Sequence, residues 1–339
     1  MKKLVLLILT LVLSYSAKSQ DLDVLLKAGD DASLLFQNYM TPVMDGMSYS
    51  LNDGWYTTAK THKKLGFDLT INISTAIVPK SSRTFQFTAA DYQYLTLESG
   101  NSEIQTVMGG NNNSTIGVRI PYGNGNYKVA EINMPDGVGG DMPLNAVPSP
   151  MIQASVGVPF STDISLRILP KINTNDIDGS LFGIGIKHNL MQYFGPLDKL
   201  PLNIALFAGY TTMTSTYNLQ NVSSLAGNNQ EAAFKLNAYT VQAVASLDFP
   251  IITLFGSVGF DKGNSTLKIK GTYELEYTDT GSNTTITESV TDPINMDFNA
   301  NGFRGTLGAR FNLGFFKIYG DYTLKEYNTI SAGISFSFR

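Results

Sequence analysis

The sequence predicts an all-β protein, an antiparallel transmembrane β-barrel of 12–14 strands (14 preferred) with an N-terminal amphipathic helix. Three observations support this prediction: an export signal at the start of the chain, alternating apolar and polar residues along most of the rest, and a composition poor in charge. Charged residues make up 15% of the chain and hydrophobic residues 43%, with 31 Gly, 17 Tyr and 19 Phe. Glycines suit tight turns, and aromatic side chains suit the girdles at the two membrane interfaces.

Residues 1–19 have the three parts of a cleaved signal peptide. Lys2 and Lys3 give the positive start, Leu4 to Leu13 form an apolar core, and Ala17-Lys18-Ser19 supplies small residues for cleavage. The core is about ten residues long, whereas a helix that spans a bilayer needs about twenty. We therefore expect export, and a final location in the outer membrane of a Gram-negative bacterium.

Residues 20–45 show helical rather than strand spacing, with acidic residues at the start and Pro42 and Gly46 marking an expected end. Such a helix could plug the lumen, close the periplasmic mouth of the barrel, or float as a periplasmic docking arm. Its apolar stripe needs burial, which favours the two occluding alternatives. The residues assigned to the apolar face of this plug helix are Leu22, Leu25, Leu26, Phe36 and Tyr39.

Residues 46–339 are assigned to the barrel because alternation recurs there. The last strand shows it best: Ile330, Ala332, Ile334, Phe336 and Phe338 fall on one face, with small polar residues between them. About thirteen such segments are counted. Since bacterial single-chain barrels have an even number of strands, either one segment is falsely counted or one more strand is present, and residues 84–107 are the expected place for it. Other segments with this alternation contain residues 65–77, 152–158, 164–168, 182–186, 202–210, 239–249, 252–260, 267–277, 303–313 and 316–324.

Residues 79–150 form an unusually long stretch between strands, rich in Asn, Gly and Pro. Loops of this length in a compact protein are usually functional or disordered. If the C-terminus is periplasmic, tight turns lie on the periplasmic side and this region is extracellular. We expect it to fold over or into the mouth of the barrel.

By strand parity, five charged residues point away from the apolar face and into the lumen. A charge facing lipid at mid-bilayer would cost roughly 2–4 kcal/mol, which supports this inward assignment. These residues could give a pore a mostly cationic lining that tunes its ion selectivity, or they could pair with Asp30, Asp31 or other acidic groups of the N-terminal helix and hold it inside. The structural role is favoured. The predicted lumen-lining residues are Arg167, Arg304, Arg310, Lys317 and Asp321.

Signals for catalysis are nearly absent, so the chain is not expected to be an enzyme. The two histidines, His62 and His188, lack the spacing of a metal site, and no Ser-His-Asp arrangement is recognisable. No cofactor, metal site or catalytic residue is predicted. The absence of cysteine excludes disulfides and a lipid anchor, and a net charge of −4 gives no argument for nucleic-acid binding. The expected partners are outer-membrane lipid, the barrel assembly machinery and a hydrophobic small molecule.

The stretch from Val147 to Tyr217 carries a family resemblance, in its Val-Pro-Ser-Pro-Met-Ile-Gln, Ile-Ser-Leu-Arg-Ile-Leu-Pro-Lys-Ile and Phe-Gly-Ile-Gly-Ile-Lys-His-Asn segments. It resembles an uncharacterised family of Bacteroidota outer-membrane β-barrels, which implies location and fold but no activity. More distantly, the helix and barrel look like long-chain fatty acid and aromatic-hydrocarbon channels. Those channels carry an Asn-Pro-Ala motif, where this chain has Thr41-Pro42-Val43.

Two functions follow from these patterns. The first is a passive channel for a hydrophobic or small amphipathic solute, gated by the N-terminal segment and the long outer region. The second is a closed barrel that serves as a surface or assembly module. A continuous lumen would favour the channel, and a filled interior would favour the module.

Overall fold

The structure, a computed structural model, describes residues 25–122, 126–173, 177–195, 201–219, 226–279 and 284–338. The predicted signal peptide and Leu22 lie outside these residues. The described part contains one long helix, α1 (Asp30–Leu51), preceded by a helical turn at residues 25–27. None of its helices is long and apolar enough to cross a membrane.

Sixteen strands occur in the described residues, together with short 3₁₀ segments. The strands are β1 (Phe67–Ile77), β2 (Thr84–Gln86), β3 (Leu95–Ser99), β4 (Glu103–Gln105), β5 (Thr115–Tyr122), β6 (Asn126–Asn133), β7 (Ala146–Val158), β8 (Thr162–Asn173), β9 (Ile177–Asn189), β10 (Leu202–Asn218), β11 (Ala226–Asp248), β12 (Ile252–Asp279), β13 (Thr284–Thr291), β14 (Ile294–Leu313), β15 (Phe316–Leu324) and β16 (Thr329–Phe338). The 3₁₀ segments are Lys80–Ser82, Ala89–Asp91, Gly139–Asp141, Pro143–Asn145 and Met191–Tyr193.

Ten of these strands form a closed antiparallel barrel, in the order β1-β7-β8-β9-β10-β11-β12-β14-β15-β16. The first strand pairs with the last, from Phe67 opposite Phe338 to Ala76 opposite Thr329, and this pairing closes the ring. Strand β13 adds an eleventh strand only at the far end of β12. The barrel is predicted correctly, but the prediction of 12–14 strands is wrong.

The overestimate of the strand number has two sources. Residues 252–260 and 267–277 are predicted as separate strands, whereas both belong to β12, which pairs with β14 without a break from Ile252 to Ile269. Residues 84–107 do form strands, but β2, β3 and β4 pair in two small sheets outside the barrel. These short strands therefore add nothing to the barrel wall.

The two ends of the barrel differ in their connections. At one end the chain turns within residues 159–161, 249–251 and 314–315, and we call this the short-turn end. The opposite, long-loop end carries β13 and residues 78–145, which we call the cap. The C-terminal residue of β16, Phe338, lies at the short-turn end.

The outward face of the barrel changes character along the strands. Near the short-turn end, in residues 239–248, 252–260 and 303–313, outward side chains such as Val241, Val258 and Leu307 are apolar and exposed. We call this part the belt. Farther along the same strands, in residues 226–238, 262–274 and 294–301, apolar side chains such as Leu236, Leu267 and Phe298 are buried and point inward; we call this part the collar. Nine to eleven residues per strand suffice to cross a bilayer, which the belt of β12 provides.

Helix α1 lies inside the collar, packed against β14, β7, β1 and β12. The expected end between Pro42 and Gly46 is wrong, because the helix continues to Leu51. Burial of Met44, Met47 and Leu51 against the collar supports the continuation, since tertiary packing overrides the local cost of a proline. Gly46 allows α1 to pack closely against β7, because a Cβ on this residue would lie 2.7 Å from the Cγ2 atom of Val147.

The cap rests on the exposed side of α1 and covers the barrel mouth. The carboxylate of Asp31 accepts hydrogen bonds from the backbone N–H groups of Gln93 and Tyr94, at 2.9 and 2.6 Å. The Tyr39 hydroxyl donates to the carbonyl of Asp136, at 3.1 Å. Apolar side chains of the cap, the helix and the collar form one continuous core. The long region is therefore a folded cover, with β7 beginning at Ala146 rather than after residue 150.

The start of α1 lies at the long-loop end. Lys27 makes an ion pair with Glu288 of β13, and the Ser33 hydroxyl accepts from the backbone N–H of Asn295 at the start of β14. The chain thus enters the barrel from the long-loop end, runs down its axis, and reaches β1 at the short-turn end.

Candidate functional site

The belt lumen is filled by the segment from Asn52 to His62, which we call the plug. The plug connects α1 to the first strand and belongs to residues 46–339, which the sequence assigned to the barrel without predicting a strand before residue 65. It shows neither helical nor strand periodicity, so its backbone polar groups must find partners on the wall. These partners are distributed along the plug from the collar to the short-turn end.

Asp53, at the end of the plug nearest the collar, belongs to a buried network of four charged side chains. Its carboxylate accepts hydrogen bonds from Arg304 and from Lys325, the latter at 2.6 Å. Asp261 of β12 accepts from the same two cations, at 3.2 and 3.0 Å. All four side chains are at most 2% exposed. Since two cations meet two carboxylates, the network is balanced, and removal of one partner from such a network costs about 3–5 kcal/mol.

Arg167 holds the next part of the plug without a carboxylate. Its guanidinium donates to the carbonyls of Leu51 and Asp53, at 2.9 and 2.6 Å, and to Gln153 of β7, at 2.9 Å. The same group lies 3.5 Å from the ring centroid of Trp55. These contacts fix the plug backbone to strands β7 and β8.

The Trp55 ring lies against the adjoining strands β9 and β10. A Cβ on Gly185 of β9 or on Gly209 of β10 would lie 3.0 Å from the indole, so glycine at these paired positions makes room for it. The ring centroid of Phe207 lies 5.4 Å from that of Trp55. Trp55, Ala59, Ala205, Phe207 and Val244 form a small buried apolar cluster at this level of the lumen.

Three further plug residues bind strands β11 and β12. The Tyr56 hydroxyl donates to the side-chain carbonyl of Gln242 and lies 2.7 Å from the Ser257 hydroxyl, within hydrogen-bond distance. The Thr58 hydroxyl donates to Asp248, at 2.8 Å, and the Ala59 N–H donates to Ser246, at 3.0 Å. Each hydrogen bond contributes roughly 1 kcal/mol net, and together they tie the plug to the side of the barrel that faces Arg167.

His62 ends the plug beside two carboxylates, before β1 begins. Its Nδ1 lies 3.1 Å from Asp163 and its Nε2 lies 3.1 Å from Asp68. Lys187 pairs with the same Asp163, at 3.1 Å, and donates to the carbonyls of Thr58 and Lys60.

Beneath Trp55 the plug leaves a cavity of about 110 Å³ toward the short-turn end. The lining combines plug residues with inward side chains of β1, β7, β8, β9, β10, β14 and β15. Four of the lining residues are cationic, Lys60, Lys187, Arg310 and Lys317, whereas Asp68 and Asp163 are the acidic ones.

The five predicted lumen residues occupy different environments. Arg167 and Arg304 hold the plug, and Arg310 donates to Thr57, at 3.0 Å, and lies 3.6 Å from Asp248. Lys317 lines the cavity, while Asp321 lies on the same inward face of β15, between Tyr319 and Thr323. The carboxylate that holds Arg304 in the plug is Asp53, and the predicted pairing with Asp30 or Asp31 of the helix is wrong for this residue.

The predicted apolar face of the helix is partly described. Leu25, Leu26 and Tyr39 are buried, and Phe36 is partly buried against the same core. Asp53, Trp55 and Lys325 were not predicted from the sequence. One signal could have drawn attention to the plug: the only Trp of the chain lies in it, directly after an Asn-Asp-Gly turn sequence.

The described residues contain no group of three or more His, Asp or Glu that could hold a metal ion. The chemistry of the described lumen is that of ion pairs, hydrogen bonds and a polar cavity.

Solved structures that match the chain are barrels of bacterial outer-membrane proteins. The attachment invasion locus protein Ail of Yersinia pestis matches at 7% identity, over 81% of this chain and 100% of that one, with a TM-score of 0.26. The translocator domain of the autotransporter NalP of Neisseria meningitidis matches at 11% identity, over 92% and 98%, with a TM-score of 0.27. The outer-membrane protease OmpT of Escherichia coli matches at 10% identity, over 85% and 100%, with a TM-score of 0.28.

Likeness at these TM-scores assigns no function, and the fold rests on the strand pairing of this chain itself. The resemblance to hydrophobic-solute channels and the Bacteroidota origin stay predictions. No curated protein sequence matches the chain. A family model does match, over residues 1–338, and the chain belongs to that family of unknown function, DUF6588.

Proposed function

We propose that this protein is an outer-membrane β-barrel with a closed lumen, which presents its cap at the cell surface as an interaction module. The observation that carries the proposal is the plug: residues 52–62 occupy the belt lumen and bind strands around it. A route for solute would have to displace the buried network of Asp53, Arg304, Lys325 and Asp261.

The membrane position follows from the belt. Its outward side chains include Leu307 and Val258, which are 75% and 66% exposed in the isolated chain. Such a continuous apolar band would be unfavourable in water but suits the hydrocarbon core of a bilayer. Outer-membrane barrels have short turns on the periplasmic side, so the short-turn end is assigned to the periplasm and the cap to the exterior.

The interaction role is supported by the fold of the cap. A barrel that only sealed the membrane would need no additional sheets, whereas the cap has two, with its own buried residues Ile104, Ile116 and Val118. It is fixed to α1, which is fixed in turn to the collar. The cap therefore presents a rigid surface, which lowers the entropic cost of binding a partner.

Cysteine labelling in intact cells tests the orientation, because the chain contains no cysteine of its own. Gly140 lies in the cap, where a Cβ on this residue would have no atom within 4 Å, and Lys64 is exposed at the short-turn end. We expect Gly140→Cys to react with a membrane-impermeant maleimide on intact cells, and Lys64→Cys to react only after permeabilisation. The opposite pattern would overturn the orientation.

Conductance tests the closed lumen. We expect the purified full-length protein, inserted in planar lipid bilayers, to produce no channel steps above the lipid baseline, because the plug occupies the belt. Heat-modifiable migration in gels serves as the control that the inserted protein is folded. Reproducible steps from folded protein would contradict the proposal and support the alternative, a passive channel for a hydrophobic or small amphipathic solute.

A further inference from the structure

We propose that the cavity beneath Trp55 is a binding site for a small oxyanion of the size of inorganic phosphate, open to the periplasmic side of the barrel. This site is independent of the closed-lumen function, because the cavity lies below the plug and its occupation does not require a route through the barrel.

The charge of the lining favours an anion. Both acidic side chains are already engaged: Asp163 binds Lys187 and His62, and Asp68 binds His62, each at 3.1 Å. The remaining cations of the lining are Lys60, Arg310 and Lys317. The walls of the cavity thus carry more positive charge than their own carboxylates neutralise.

Lys317 and Arg310 bring two cations together on adjacent strands. In the described part of the chain, the Lys317 ammonium makes no ion pair and no hydrogen bond within the usual distances, although it is half-buried on the inward face of β15. Arg310, on the neighbouring strand β14, donates to the neutral oxygens of Thr57, Thr253 and Asn312, and its carboxylate partner Asp248 lies outside the lining. Two such cations, away from bulk water, repel each other unless an anion lies between them.

Trp55 supplies a buried donor for which the described residues offer no acceptor. The indole N–H of this lining residue, which is 3% exposed, has no hydrogen-bond partner. Buried donors of this kind are uncommon and call for an explanation. An oxyanion would accept hydrogen bonds from such a donor and from the guanidinium and ammonium groups at the same time.

Size and access limit the class of ligand. A volume of about 110 Å³ accommodates several waters or one phosphate-sized anion, but no lipid or nucleotide. Lys60 is exposed and lines the cavity, so the cavity opens to solvent at the short-turn end, which the proposed orientation places in the periplasm. Inorganic phosphate, or the phosphate or sulfate group of a small ester, fits both limits.

Isothermal titration of the full-length protein in detergent with inorganic phosphate tests the proposal, at constant ionic strength maintained with chloride. We expect saturable binding to the wild type, at least tenfold weaker binding to Lys317→Met, and nearly normal binding to Lys317→Arg, which keeps the charge. Lys80→Met removes an exposed lysine of the cap and serves as the matched control, with unchanged affinity expected.

Titration with acetate and with sulfate distinguishes the ligand classes: comparable binding of sulfate but not acetate supports a tetrahedral oxyanion. Heat-modifiable migration confirms that each variant is folded. The proposal is overturned if folded wild type releases or absorbs no heat with either tetrahedral anion, or if Lys317→Met binds phosphate as tightly as the wild type. In either case the cavity holds water alone.

Discussion

The belt and the collar are consecutive parts of the same strands, yet they place apolar side chains on opposite faces. In β14, Phe303, Leu307 and Phe311 point outward in the belt, whereas Met296 and Phe298 point inward in the collar. Strand pairing continues without a register shift across the boundary. The backbone geometry therefore does not cause the change. The proposed surroundings account for it, with lipid outside the belt and water outside the collar.

The interiors of the belt and the collar also differ in polarity. The belt lumen contains charges and hydroxyl groups that bind an irregular plug, while the collar contains an apolar core around helix α1. The belt thus resembles a membrane protein and the collar a soluble one. Helix α1 buries its apolar side chains in the collar, and the polar plug forms hydrogen bonds with the belt strands. Substitutions and pH changes test this division, from the largest expected effect to the smallest.

The collar should depend on its core as a soluble protein does. Leu236 of β11 is fully buried in the collar, and its neighbour Lys235 is exposed on the outer face. We expect Leu236→Ala to reduce the free energy of unfolding by about 2–5 kcal/mol, because it leaves a cavity. Lys235→Ala should change it by less than about 0.5 kcal/mol. Urea unfolding in lipid vesicles measures both, and equal small effects would show that the collar is not a packed core.

The outward face should tolerate charge in the collar and reject it in the belt. Leu307→Arg places a cation in the lipid-facing belt, at a cost of roughly 2–4 kcal/mol. Asn299→Arg makes the same change to an outward, exposed residue of the same strand in the collar, where we expect less than about 1 kcal/mol. The same unfolding assay decides: similar losses for both variants would place the membrane boundary elsewhere.

Acid should stabilise the collar through Asp45 of α1. Burial, followed by the charge of Glu326, raises the pKa of this carboxyl from 3.8 to about 7. Because the folded pKa lies above the unfolded one, the contribution is fully present below about pH 3.8 and is lost as pH rises through about 7. We expect Asp45→Asn to gain stability relative to the wild type at about pH 8 but not at about pH 4. An unchanged difference between these pH values would contradict the assignment.

Much of the barrel could be predicted from its alternation alone. The segments at 202–210 and 316–324 lie within strands of the wall, and the segment at 239–249 extends one residue beyond its strand. Alternation is strict in these segments because one face is apolar and the other is polar. The number of strands could not be predicted. In β12 the apolar residues change from even positions in the belt to odd positions in the collar, and this change of phase imitates a strand boundary.

Fewer features of the candidate site could be predicted from the sequence. Inward parity identified Arg167, Arg304 and Arg310 as residues of the lumen interior, because lipid excludes charge. Their partners could not be predicted, since Asp53 lies in an aperiodic segment more than a hundred residues away in sequence from Arg167 and further from Arg304. Asp31 was a candidate partner on the helix, but its carboxylate binds the cap instead.

The sequence by itself determined the barrel, its apolar belt and the presence of a buried helix, because these depend on local periodicity and on the exclusion of charge from lipid. Tertiary structure decided how many strands close the ring, how far α1 continues beyond Pro42, and which segment fills the lumen. Those outcomes depend on contacts between residues distant in sequence, such as Gly46 with Val147 and Asp53 with Arg304. The periodicity of one segment does not specify which residue of a distant segment will contact it.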